Sequence, residues 1–377
     1  MKRGAGRCIK LPTALNDAPG TAAASDVADA EYERFLSAFS AAPGSALAYH
    51  YPFYLRFLAE TAYPGSGLRF MIARDDSGAL AGVMPAIHLR TADVNAWLSL
   101  AYFGPNGGAL VPGGAAPAGT TNNDVVRSLV AQACADARGR GCDSMTIYTP
   151  LGASPVPYRE GLGGADFDIE RVAQVLDFPN DANDSPWPRK VRYDIRRAAS
   201  LGVIIRPIAN ESELDRVWEI YKTNCSDTGT PIKPHAHIRR LFQTAGPHGV
   251  FLAAEYGGAI IAGLICLMGG GVLSYYLPCT RQESRALQPG LLLLDHAAAV
   301  AREAGCRRLN FEGSPAVGSS VYQFKARTGG APVPYRVFVK LLTPNALDTY
   351  RSLGAARIAE QAPQAFIVPF SALTANT

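Results

Sequence analysis

The sequence predicts an α/β (α+β) protein of two tandem domains, each a mixed, mostly antiparallel sheet flanked by helices. A helix–helix–hairpin–strand–helix–strand order occurs twice. Glycine turns separate apolar runs at corresponding places in both copies. Local text is also shared: IARDDSGALAG at 72–82 lines up with AAEYGGAIIAG at 253–263, and ADARGRGCDSMTIY at 135–148 with AVAREAGCRRLNFE at 299–312. Any α/β fold has glycine-turned hairpins, but the common order and the paired steps Gly141-Cys142 and Gly305-Cys306 point to duplication.

In the first copy, helices are expected near 29–41 and 52–62. Residues 70–74, the Asp76-Ser77-Gly78 turn and residues 79–87 form a hairpin. A strand near 97–103, a helix near 121–138 and a closing strand at 144–148 follow. In the second copy, Asn210 and Glu213 give an N-x-x-E helix start, with Leu214, Val217, Trp218 and Tyr221 at helical spacing. A shorter helix spans 236–244. Strands at 250–256 and 259–267 are joined by Gly257-Gly258, and Gly269-Gly270-Gly271 leads into a strand at 272–277. A long apolar helix over 289–304 ends at Gly305, and a strand follows at 307–312. The stretch 151–188, rich in turn formers, reads as the join. The expected division is a disordered tail at 1–26, a first domain at 27–177, a second with the catalytic cleft at 178–342, and a C-terminal helix and tail at 343–377 packing back on the first domain.

Composition narrows the class. Of 377 residues, 48% are hydrophobic and 18% charged, which supports sizeable cores and argues against global disorder. A net charge of +4 does not by itself imply nucleic acid. The seven cysteines are scattered without a C-x-x-C, so neither a disulfide framework nor a zinc site is expected, and a reducing cytoplasmic location fits. His235 and His237 lack further ligands at zinc spacing. No apolar run has the length of a membrane span.

Three segments carry a family resemblance: the basic stretch RKVRYDIRRAASLGV at 189–203, LQPGLLL at 287–293, and EGSPAVGSSVYQFKARTGGA at 312–331. The order of elements resembles the GNAT acetyltransferase fold, and two copies in one chain resemble the Fem-type family, which transfers amino acids from aminoacyl-tRNA. The likeness spans about 27–342. It implies a transferase that forms an amide or peptide bond on a small-molecule amine or a cell-envelope precursor of a bacterial cell. It also implies no tightly bound cofactor, and aminoacyl-tRNA (its acceptor end) or acyl-coenzyme A as co-substrate. The family's Phe-Lys pair at the active centre falls on Phe324 and Lys325. No sustained heptad pattern is present, so the coiled-coil arm of some Fem enzymes is not expected.

Such a transfer passes through a tetrahedral oxyanion, and a fixed cation near the carbonyl stabilises it. Lys325, positioned by Phe324 in a glycine-bounded loop, is the candidate; a surface lysine beside a core aromatic has the same local text. Glu312 and Ser314, at the end of a strand, are candidates to position the acceptor amine or, for Glu312, take its proton. Arg189, Arg192 and Arg196 share a helix face, with Arg197 adjacent, suiting donor phosphates or simply a solvated surface. Gln288 and Gly290 begin a helix whose free N–H groups suit a pyrophosphate, although Pro289 is also an ordinary helix start. Tyr275 and Tyr276 alternate across a strand and, with Thr230, are candidate acceptor contacts. A non-catalytic module of the same fold, with a blocked cleft, is the alternative class.

Overall fold

The computed structural model describes residues 29–39, 46–100, 102, 107–113, 119–181, 184–314 and 316–374. The tail expected at 1–26 and Cys8 lie outside them. The first half comprises α1 (Asp29–Ser37), α2 (Pro52–Phe57), β1 (Gly67–Arg74), β2 (Leu80–Arg90), β3 (Asn95–Ser99), α3 (Asn122–Gly139), β4 (Ser144–Tyr148), α4 (Val156–Leu162) and β5 (Phe167–Asp177). The second half begins with α5 (Arg189–Ser200), β6 (Ile204–Pro207), α6 (Glu211–Thr228), α7 (His235–Thr244), β7 (Gly249–Tyr256), β8 (Ala259–Gly269) and β9 (Val272–Thr280). It continues with α8 (Pro289–Glu303), β10 (Arg308–Gly313), α9 (Ser320–Arg327), β11 (Ala331–Leu341), α10 (Ala346–Gln361) and α11 (Phe370–Thr374).

Among the described residues the strands form one eleven-stranded sheet in the order β1-β2-β3-β4-β11-β5-β10-β9-β8-β7-β6. Only β3–β4 and β9–β10 pair in parallel, each joined through a crossover helix, α3 or α8. The last strands are exchanged: β11 of the second half lies beside β4, and β5 of the first half lies between β11 and β10. The expected 177/178 boundary therefore falls at the end of a strand both of whose neighbours belong to the second half.

Two of the sequence readings are corrected here. The stretch 151–188 is not simply a join, since it holds α4 and β5. Lys325 is not in a loop; it lies on α9, which continues to Arg327 before the Gly329-Gly330 turn. Strand β11 opens Ala-Pro-Val-Pro, a pattern that argues against a central strand. It is tolerated because β4 pairs with β11 only from Val337 onward, so Pro332 and Pro334 have β5 on one side and no ladder partner on the other.

The core is divided by the sheet. On one face a single cluster joins Tyr49, Tyr54 and Phe57 of the first half with Leu214, Ile238 and Tyr276 of the second. On the other face there are two separate clusters, each including a residue from an exchanged strand, Leu176 of β5 or Phe338 of β11. Helices α5 and α8 cover β7–β10 through Val191, Ile195, Leu292 and Leu294, and α3 and α4 cover the first half through Leu129, Val130 and Leu162. The C-terminal segment packs on first-half residues: Tyr350 and Ser144 hydroxyls are 2.9 Å apart, and Arg357 pairs with Asp93 at 2.7 Å. Among the described residues no helix is long and apolar enough to cross a membrane.

The exchanged strands predict mutual dependence of the halves. Residues 1–177 expressed alone should show no cooperative thermal transition by circular dichroism, because β5 loses both neighbours. Co-expression with 178–377 should restore one transition.

Candidate functional site

The site begins where the parallel pair separates. Strands β9 and β10 pair at Val272–Arg308, Leu273–Leu309 and Ser274–Asn310 and no further. Beyond that point β9 stays with β8 to Thr280, while β10 stays with β5. Each carries an irregularity at the opening. On β9, Tyr276 is the extra residue between Tyr275, opposite Cys266, and Leu277, opposite Ile265. On β10, Phe311 and Glu312 bulge between Asn310, opposite Val175, and Gly313, opposite Ala173. Bulges re-aim side chains at such points.

Glu312 is held in the left-handed region, φ 63°, at a cost of about 1 kcal/mol for a residue with a Cβ. Asn310 offsets it: its Oδ1 accepts from the Glu312 N–H at 2.9 Å, and its Nδ2 donates to Glu312 Oε1 at 2.9 Å. Tyr49 of the first half donates to the same oxygen at 2.7 Å. The residue is partly reached by solvent, but Oε2 is buried without a well-aligned hydrogen bond among the described residues. Desolvation pushes the carboxyl up to about 7, against the opposing effects of the Tyr49 hydrogen bond and the charges of Lys325 and Lys233.

Lys325 is the buried residue of α9, 4% exposed. Its Nζ donates to the Gly313 carbonyl at 2.7 Å and the Glu312 carbonyl at 3.2 Å. Ser319 Oγ caps the helix by accepting from Tyr322 N at 3.2 Å. At the other end a Cβ on Gly330 would meet the Lys325 carbonyl oxygen at 2.9 Å and the Phe311 ring at 3.1 Å, so this close return requires glycine. Burial pulls the Lys325 ammonium down to about 8, and Glu312 resists the shift.

These groups line a cavity of about 510 Å3 with Tyr49, Tyr221, Thr230, Lys233, Tyr275, Tyr276 and Arg285. A second cavity of about 300 Å3 lies at the start of α8, lined by Gln288, Gly290 and Phe324, and shares Tyr275, Pro278 and Arg285 with the first. Gln288 adopts φ 54° just ahead of α8, and a Cβ on Gly290 would make only an ordinary contact with Thr280 Oγ1 at 3.7 Å. Tyr275 and Tyr276 do lie on opposite faces, Tyr276 with Tyr54 and Tyr275 with Phe311, yet the opened sheet lets both line the larger cavity.

Not all the predicted residues converge. Ser314 lines neither cavity, and its Oγ donates to Gln174 Oε1 at 3.3 Å. Arg189, Arg192, Arg196 and Arg197 are exposed on α5 and line neither cavity; α5 buries Val191, Ile195 and Ala198 instead. Sequence reasoning missed Tyr49, Tyr221, Lys233 and Arg285. Lys233 carried a weak signal, standing between Pro231 and Pro234 close to the candidate acceptor contact Thr230. Tyr49 carried none, since its partner is 263 positions away. Among the described residues no cluster of three or more His, Cys, Asp or Glu side chains could hold a metal.

Residues 188–326 match the family model of the acetyltransferase (GNAT) domain. The fold is similar to that of FemX, with 11% identity, TM-score 0.64, and 83% of this chain and 96% of that one covered. It is similar to a tandem GNAT protein from the clavulanic acid biosynthesis pathway, with 15% identity, TM-score 0.52, and 84% and 96% covered. It is also similar to L-PGS from Bacillus licheniformis, with 11% identity, TM-score 0.50, and 82% and 92% covered. No curated protein matches the chain by sequence. At these identities the likeness is one of fold: a tandem GNAT architecture.

The geometry predicts an unusual titration. In protein labelled with 13C-glutamate, the Glu312 carboxyl should titrate near pH 7 rather than 4.5. In a Lys325→Met variant the midpoint should rise by about one pH unit, because that cation favours the ionised carboxylate.

Proposed function

We propose that this chain is an acyltransferase that forms an amide or peptide bond by moving an aminoacyl group from aminoacyl-tRNA to a small-molecule amine or cell-envelope precursor. The observation that carries the reading is a half-buried carboxylate and a buried ammonium in one cavity, which shares lining residues with a second cavity at a helix N-terminus. Glu312, with a carboxyl titrating near neutrality, accepts a proton from the incoming ammonium. The freed amine attacks the ester carbonyl and forms the C–N bond. Lys325 has three N–H donors and gives two to backbone carbonyls, leaving one for the developing oxyanion. Collapse breaks the C–O bond, the leaving oxygen takes the second proton from the attacking nitrogen, and Glu312 releases the first proton to solvent. Phe324, on α9, lines the smaller cavity and shapes the donor side. Tyr275, Tyr276 and Thr230 line the acceptor side.

The resemblance of Phe324-Lys325 to the Fem-type pair supports the aminoacyl-tRNA donor, and the likeness to FemX agrees in fold. The exposed Arg189, Arg192, Arg196 and Arg197 would then meet the RNA backbone outside the cleft. Acyl-coenzyme A is the second reading, favoured by Gln288 and Gly290 at the open start of α8 with Arg285 alongside, a setting for a pyrophosphate.

A donor screen separates the two: purified protein is incubated with charged tRNAs and acyl-coenzyme A esters, and transferred groups are read by mass spectrometry. Lys325→Ala should bind donor normally and lose transfer by about 100-fold or more; unchanged turnover would remove Lys325 from the mechanism. If the donor is tRNA, Arg192→Gln with Arg196→Gln should flatten the log–log salt dependence of binding by about 1 per arginine.

The pH profile should be a narrow bell. Glu312 is protonated and inactive as a base below about 7, and Lys325 loses its charge above about 8, so kcat falls on both sides. Glu312→Gln should lower kcat by about 100-fold or more and abolish the acid limb.

A further inference from the structure

Helix α5 carries a charged surface that the chemistry in the cleft does not use. Val191, Ile195 and Ala198 are buried against α8, and the opposite face is exposed. Tyr193 lies in the middle of that face and is 60% exposed. Its helical neighbours at i−4, i−3, i+3 and i+4 are all cations: Arg189, Lys190, Arg196 and Arg197. Arg192 extends the row. The arrangement is unfavourable for the helix itself. The helix starts at Pro188, which offers no capping side chain, and its first turn holds no acidic residue. Arg189, Lys190 and Arg192 therefore stand at the positive end of the helix dipole. Arg189 with Arg192, and Arg192 with Arg196, are like charges one turn apart. Among the described residues none of the five cations forms an ion pair. A bound polyanion relieves all three strains at once.

The ring says which kind of polyanion. Four of the five cations are arginines, whose planar forks fit phosphates. A duplex offers phosphates but keeps its bases stacked on one another, which leaves an exposed phenol ring nothing to stack on. A membrane surface calls for an apolar stripe beside the cations. The exposed face of α5 has no large aliphatic side chain, since Leu201 and Ile204 lie beyond its end. An unpaired strand supplies both a charged backbone and free base faces, and aromatic rings set among cations are the platforms such strands favour. The surface also adjoins the cleft. A Cβ on Gly329, two residues past the end of α9, would meet Pro188 Cδ at 3.4 Å, and α9 carries Phe324 and Lys325.

We infer that α5 binds unpaired RNA, with the backbone on its arginines and a base stacked on Tyr193. This rests on the aminoacyl-tRNA reading above and names the part of that partner the surface takes: the single-stranded nucleotides that lead to the esterified end, rather than the paired stem.

The test is fluorescence anisotropy with a short, end-labelled, uncharged RNA free of secondary structure, and with the same sequence as a duplex, titrated with the full chain at fixed salt. Tyr193→Ala should weaken binding of the single strand by about fivefold or more and leave binding of the duplex unchanged. It should also leave the log–log salt slope unchanged, because no phosphate contact is removed. Tyr193→Phe, which keeps the ring, should bind the strand like the wild type. The substitutions lie on the exposed face, so the buried face of α5 is untouched. The inference is overturned if the strand does not bind, if Tyr193→Ala binds it like the wild type, or if strand and duplex weaken alike. It is also overturned if the Tyr193-dependent partner is instead a vesicle of phosphatidylcholine and phosphatidylserine. Because the RNA is uncharged, absence of transfer in the donor screen would sink the acyltransferase reading and leave this result standing. A strand affinity indifferent to Tyr193 would sink this inference alone.

Discussion

The structure turns on the separation of β9 from β10. A parallel pair that stops at Ser274–Asn310 leaves the backbone of both strands in need of other partners, and each is supplied from its outer side, β9 by β8 and β10 by β5. Without those outer partners the opening would expose unpaired N–H and C=O groups in the middle of a sheet, a cost of the order of 1–3 kcal/mol for each buried group. The exchange of β5 and β11 is therefore tied to the site. The strand that holds β10 away from β9 comes from the first half, so the first half is needed to hold the cleft open.

The same opening controls the electrostatics. A carboxylate and two ammonium groups sit within one largely aromatic enclosure, where each charge is penalised by lost hydration and partly restored by its neighbours. Glu312 moves up and the lysines move down for one reason, desolvation. This brings an acid and a base that ordinarily titrate far apart into the neutral range together, the condition that general acid–base chemistry requires. Tyr49 reaches Glu312 from the first half, so the common cluster on that sheet face contributes to the site as well as to stability.

The contrast between the predicted phosphate-binding residues is also physical. Gln288 and Gly290 open α8 beside the cleft, at its N-terminus. The arginines of α5 share a face as the helical period demands, but the opposite face is apolar and packs on α8, which turns the charges to the exterior. Periodicity fixes which residues lie together on a helix; it does not fix what that face looks out upon.

Local sequence determined the elements and their duplication: the glycine-turned hairpins, α3 and α8 before parallel strands, and α5 over Arg189–Ser200 are each dictated by turn chemistry and hydrophobic period. The family likeness at Phe324-Lys325 also identified a lysine that lies in a cavity. What the chain could not disclose locally is where its strands end up. The strand β11 looks unlike a central strand because of Pro332 and Pro334, and only the stagger between β4 and β5 makes room for them. Tyr49, Lys233 and Arg285 join Glu312 and Lys325 only after the sheet has formed and split. Such long-range meetings depend on the register of distant strands and on shared burial, and neither is written in the neighbourhood of any one residue.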